Sequence, residues 1–176
     1  MFFDPTHQIH NTVTGKCWQK KGGKYTLILS SNTGRKRLSV LGAINAVSTK
    51  FSSLITEDNC DKEMVKATLS EIRKDYFDNK KIVLILDNAA YNRAYETQDF
   101  ARSLNIELKF LPPYCPNLNF IERLWKLMKK EILKNIYYPA FSDFYDAIIN
   151  FCSNLQIYQN EINNILSQKF QIIKAV

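Results

Sequence analysis

Apolar residues along this chain recur with two periods. From residue 62 to 77 they fall at Met64, Val65, Leu69, Ile72 and Tyr76, three or four apart, which predicts a helix capped by Asp61. The strongest helical stripe, Ile121, Leu124, Trp125, Met128 and Ile132, lies within residues 118–134. Residues 93–103, 142–153 and about 157–168 predict three more helices. The other period belongs to short β-branched runs. Residues 37–48 and 50–56 predict an antiparallel hairpin with a tight connection. Residues 81–86, KIVLIL, predict a strand covered on both faces, and residues 107–110 a short alternating one. Met1-Phe2-Phe3 predicts a first strand that stops at Asp4-Pro5, because proline cannot donate to a sheet ladder. A further short strand is expected around Trp18 (residues 16–20), before a turn at Lys21-Gly22-Gly23. This order predicts an α/β fold, a mixed sheet with helices on its faces.

Length changes the picture little: 176 residues suit one domain with a real core. No linker, low-complexity tract or internal repeat divides them. Charge adds more. Lys and Arg number 24 against 17 Asp and Glu, an excess of seven that suits a polyanionic partner or a basic, soluble surface. Cys17, Cys60, Cys115 and Cys152 show no CxxC spacing, which speaks against a zinc ribbon or a disulfide framework and predicts reduced thiols in a cytosol. The first residues lack the basic and apolar regions of a signal peptide, and no apolar run approaches membrane-spanning length.

Candidate chemistry concentrates in residues 83–126. The apolar run ends abruptly in Asp87-Asn88. A proline-rich turn, Leu111-Pro112-Pro113-Tyr114-Cys115-Pro116, then leads to a helix with Glu122 near its start. Two carboxylates at the ends of ordered elements are what metal-dependent phosphodiester chemistry uses. Each also has an ordinary reading. Glu122 follows Asn119 at capping-box spacing, Asp87 suits a turn or a helix cap, and Asp4 suits an Asp-Pro turn. His7 and His10 lie near Asp4 without the further ligands a zinc site needs, so one is expected at the rim of a site and the other on the surface. Trp125 reads as core.

The words LILDNAAYN and LPPYCPNLNFIERLWKLMK resemble DDE-type transposases of the mariner-like superfamily, in particular its bacterial insertion-sequence branch. In that family Asp-Asn-Ala follows a buried strand, and Leu-Pro-Pro-Tyr-Ser-Pro-x-Leu-Asn-Pro-Ile-Glu carries the last acid. FFDPTHQIHN, Trp18 and Val40-Leu41-Gly42-Ala43 are weaker points of likeness. Cys115 stands where the family has serine, Phe120 where it has a second proline, and Asn92 where it often has histidine. None of these changes removes an acid.

The resemblance implies a ribonuclease-H-like fold, with Asp4, Asp87 and Glu122 as catalytic residues and metal ligands. Two ions of Mg²⁺ or Mn²⁺ would suit these hard oxygens, since clustered carboxylates repel one another without cations between them. Asp4 and Asp87 are expected to share one ion, and Glu122 with one of them the other. Asn88, through its amide, and Arg123, Lys126, Lys129 and Lys130, along the last helix face, are candidate DNA contacts. The implied partner is double-stranded DNA, at element ends and a TA target, whose easily deformed step would assist bending. The family carries helix-turn-helix domains ahead of the catalytic core. With Met1 three residues before Asp4, a single catalytic domain over 1–176 is expected, without them. A split frame, a decayed remnant or a separately made domain would each account for that, with a homodimer or an upstream helix-turn-helix product as partner and a cytoplasmic, nucleoid-associated location. The competing functional readings are an inactive DNA-binding or dimerising remnant and a ribonuclease-H-type nuclease on hybrids or junctions.

Overall fold

In this computed structural model, which describes residues 1–16, 18, 20, 30–76, 80–113 and 118–166, the first strand becomes the centre of the sheet. β1 (Phe2–Ile9) pairs antiparallel with β2 (Arg37–Ile44), which pairs antiparallel with β3 (Phe51–Thr56). On its other side β1 runs parallel to β4 (Ile82–Leu86), and β4 runs parallel to β5 (Ile106–Phe110), giving the order β3-β2-β1-β4-β5. The β2–β3 hairpin turns on Asn45, whose side-chain oxygen accepts from the backbone of Val47 and Ser48.

Alternation along the strands divides the core in two. Phe3, Leu41, Ala43, Leu84 and Leu86 face α1 (Lys62–Asp75) and α3 (Tyr95–Ser103). Leu38, Val40 and Ile44 face α4 (Ile121–Met128), α5 (Phe141–Ser153) and α6 (Gln159–Ile165). Helices therefore cover both faces of a mixed sheet. Each fully buried Leu or Ile contributes about 1.5–3 kcal/mol relative to exposure. Asp61 caps α1 as predicted, accepting from the Met64 amide at 2.9 Å.

Several expectations are corrected. β1 does not stop at Asp4-Pro5 but runs on to Ile9, with Pro5 opposite Leu41. β4 pairs with β1 only at Phe2–Ile85, so beyond that point β1 has one ladder, and a proline is tolerated as on an edge strand. Asp4 accordingly lies inside a strand and not at its end. β4 is not covered on both sides: Val83 is 40% exposed, because α4 and α5 lie over β1–β3. The helix expected at 93–103 is α3, beginning at Tyr95, and a short helix that was not expected, α2 (Ala90–Arg93), precedes it across Ala94. The helix expected at 118–134 begins at Ile121 and changes to π-helical winding over Lys129–Leu133. Asn119 does not cap it; its side chain donates instead to the Phe3 carbonyl. The last expected helix is a 3-10 turn, Leu155–Tyr158, followed by α6. His10 is neither rim nor surface: it is buried between Phe141 and Phe144, with its Nε2 at 2.8 Å from the Tyr138 carbonyl. His7 is exposed and bonds Ser39.

Cys60 and Cys152 are free thiols. Cys17, Cys115, the turn at 21–23, the end of the proline-rich turn and the residues flanking Trp18 lie outside the described residues. Among the described residues no helix is long and apolar enough to cross a membrane.

Candidate active site

The register of β1 against β4 decides where the acids fall. Phe2 is paired with Ile85 in parallel strands, and Asp4 and Asp87 each lie two residues beyond that pair. Equal offsets along parallel strands bring the two carboxylates side by side, where the strands part. β1 is also where the sheet changes from antiparallel to parallel, the kind of switch point at which a crevice opens. Glu122 comes from the opposite layer. Ile121, Leu124, Trp125 and Met128 bury one stripe of α4 towards β1 and β2, and Glu122, on the flank of that stripe in the first turn, stays half-buried.

The three charges act on one another. Burial, then the charge of Asp87, then that of Glu122, push the Asp4 carboxyl up to about 7. The Trp125 indole N–H opposes that rise, although it makes no hydrogen bond of ordinary geometry. Glu122 is raised as well, mainly by burial, with Lys126 pulling it down and Asp87 adding to the rise. The neighbouring wall carries Cys60 and Tyr91, both packed against the core under α1. Burial is the main cause that pushes the Cys60 thiol up to about 11 and the Tyr91 phenol upward too. Both also feel Asp4 and Asp87.

Among the described residues no three His, Cys, Asp or Glu side chains stand close enough, as placed, to share one ion. The donor set nonetheless suits a hard divalent cation. It consists of carboxylate oxygens only, and burial together with two neighbouring carboxylates pushes Asp4 up to about 7, a penalty that a bound cation would relieve.

Asp87 is held by two donors. The Ala89 amide reaches its Oδ1 at 3.1 Å and the Asn92 side chain reaches the same atom at 2.8 Å. Asn88 is engaged elsewhere: its amide nitrogen donates to the Leu111 carbonyl, and its oxygen accepts from Arg93 at 3.1 Å. It ties the end of β4 to the segment after β5. Of the basic candidates, Lys126 and Lys129 are exposed on the helix that carries Glu122. Lys130 pairs with Glu131 at 2.7 Å. Arg123 donates to the Ile165 carbonyl at 2.7 Å and lies over the Phe120 ring.

Residues 1–145 match the family described as DDE superfamily endonuclease. The chain belongs to this family. Among its relatives, an uncharacterized protein of Sinorhizobium fredii, y4pE/y4sA, is 32% identical over 114 residues, 65% of this chain and 79% of that protein. The insertion element IS630 uncharacterized 39 kDa protein of Shigella sonnei is 28% identical over 148 residues, 77% of this chain and 39% of that protein. The fold is that of the Mos1 transposase, which is ribonuclease-H-like. The Mos1 strand transfer complex aligns with TM-score 0.67 and 11% identity, covering 96% of this chain and 55% of that one. A mariner Mos1 paired-end complex with Mg aligns with TM-score 0.66 and 13% identity, covering 94% and 52%. This chain thus spans about half the length of the Mos1 chains and less than half of the IS630 protein.

Asn92, Asn119 and Trp125 stand around the acids without being announced as site residues by the sequence. Asn92 was noted only as a departure from histidine. The available signal was its spacing: five residues after Asp87, across a tight turn into a short helix, a side chain can fold back on the aspartate.

Proposed function

We propose that this chain is the catalytic domain of an insertion-sequence transposase of the IS630/mariner type, with Asp4, Asp87 and Glu122 as catalytic carboxylates holding two Mg²⁺ or Mn²⁺ ions. The observation that carries the proposal is the equal offset of Asp4 and Asp87 past the Phe2–Ile85 pair, with Glu122 in electrostatic reach of both. The ions, when bound, neutralise the phosphodiester, activate water and stabilise the leaving oxygen.

The chain's own residues supply the rest. Asp4 gives up its proton as the site becomes occupied. Asn92 and the Ala89 amide keep Asp87 in one orientation. Lys126 and Lys129, on the helix of Glu122, meet the phosphates flanking the scissile bond and fix register without reading sequence. Water adds to the phosphorus at the element end and the 3′ oxygen leaves as a hydroxyl. That hydroxyl then attacks a target phosphodiester, expelling another 3′ oxygen. The partner is double-stranded DNA, at the element ends and a TA target. The protein partners we propose beside the DNA are a second copy of the chain or a helix-turn-helix product.

The test is nicking of a supercoiled plasmid carrying the repeats that flank the gene, with Mg²⁺ or Mn²⁺, by the chain alone and with the neighbouring product added. Asp87→Ala and Glu122→Ala should each lower cutting by at least about 1000-fold. Variants that cut as well as the parent would overturn the assignment.

A further inference from the structure

Three buried side-chain atoms among the described residues lack a hydrogen-bond partner: Asn92 Oδ1, Asn119 Oδ1 and Trp125 Nε1. All three belong to side chains around the acidic crevice. Asn92 donates to Asp87, Asn119 donates to the carbonyl of Phe3 next to Asp4, and Trp125 rests against Gly42, the cross-strand partner of Asp4. Buried polar atoms are paired as a rule, so their gathering at one place marks that place as built for something besides stability.

Trp125 is the most tightly seated of the three. Gly42 is the cross-strand partner of Asp4. A Cβ at Gly42 would stand 2.7 Å from Trp125 Cη2 and 2.8 and 2.9 Å from two atoms of the Phe51 ring. The indole therefore rests against the bare backbone of β2, beside Asp4. Phe51 meets it edge-on, with ring centroids 6.0 Å apart and planes at 79°. A ring held on these sides has little freedom to turn its N–H elsewhere, and its burial leaves only 4% of the residue exposed.

We infer that Trp125 is a positioning residue for Asp4: its indole N–H, buried and unpaired in this structure, is the donor that takes the Asp4 carboxylate when that carboxylate turns to a metal ion, and Gly42 makes the room that admits the ring. The inference rests on the reading of Asp4 as a metal ligand. Residues that orient ligands in this way are worth about 10–100-fold in metal affinity.

The test measures Mn²⁺ binding by the loss of the free-ion electron paramagnetic signal, together with the indole N–H resonances of the same protein. The sequence has two tryptophans, and a Trp18→Phe spectrum assigns the Trp125 signal. Trp125→Phe keeps a ring on Gly42 and deletes the donor. It should bind Mn²⁺ about 10-fold or more weakly with its melting temperature little changed. In the parent, Mg²⁺ should move the Trp125 indole proton, and Asp4→Asn should abolish that movement. A parent that binds Mn²⁺ while Trp125→Phe binds it equally well overturns this inference and leaves the proposed function standing. A parent that binds no Mn²⁺ overturns both. If Trp125→Phe does not fold, the resonance decides: an indole proton unmoved by Mg²⁺ at saturation overturns the positioning role.

Discussion

A carboxyl group pushed up to about 7 by burial and by two neighbouring carboxylates makes stability depend on pH. Below about pH 4 Asp4 is protonated in both the folded and unfolded chains, so its burial carries no charge penalty. Between there and pH 7 the unfolded chain releases its proton first, and the folded state loses stability as pH rises. The loss is on the order of 4 kcal/mol once both forms are ionised. Denaturant unfolding of chelator-treated protein should therefore show a falling contribution from Asp4 between pH 4 and 7. Asp4→Asn should lose that slope relative to the parent, and Mg²⁺ should restore stability to the parent at pH 8. An Asp4→Asn protein with the parental slope would refute the account. At this scale the acids themselves were legible, because Asp87 and Glu122 sit in distinctive words next to an apolar run and a proline-rich turn. Their supports were not. Asn119 meets the Phe3 carbonyl across most of the chain, and nothing local to either residue announces that contact.

Elements were legible where their causes are local. α1 has its stripe and its cap within 15 residues, and the β2–β3 hairpin has β-branched runs around a turn built by Asn45. Asp61→Ala should accordingly lower stability by about 1 kcal/mol, a fall of about 2–4 °C in melting temperature, with the nicking site untouched. An unchanged Tm would show that the cap bond contributes nothing. Elements set by distant neighbours were misread. Whether Pro5 ends a strand depends on β4 having parted from β1, which is invisible in the sequence around Pro5. The face of Glu122, Lys126 and Lys130 was drawn at 3.6 residues per turn, and the π-helical winding from Lys129 onward departs from that spacing. Lys130, exposed like Lys126 and Lys129, ends beside Glu131.

The whole molecule carries a net charge of +7, and its acidic crevice lies where β1 and β4, in the middle of the sheet, part, with Lys126 and Lys129 exposed along the helix of Glu122. DNA affinity should fall steeply with salt. Replacing both lysines by alanine should reduce the slope of log affinity against log salt by about 2, as read by anisotropy on a labelled duplex. Lys81→Ala, at the far end of β4 and paired with Glu107, should leave that slope unchanged. Equal effects from both would place the DNA elsewhere. The sheet order has a consequence for how the protein is made. Among the strands of the sheet the central one is made before the others, while the strand that sets Asp87 beside it and the helix that brings Glu122 follow far later. A nascent chain released early would own one or two of the acids and no complete acidic centre.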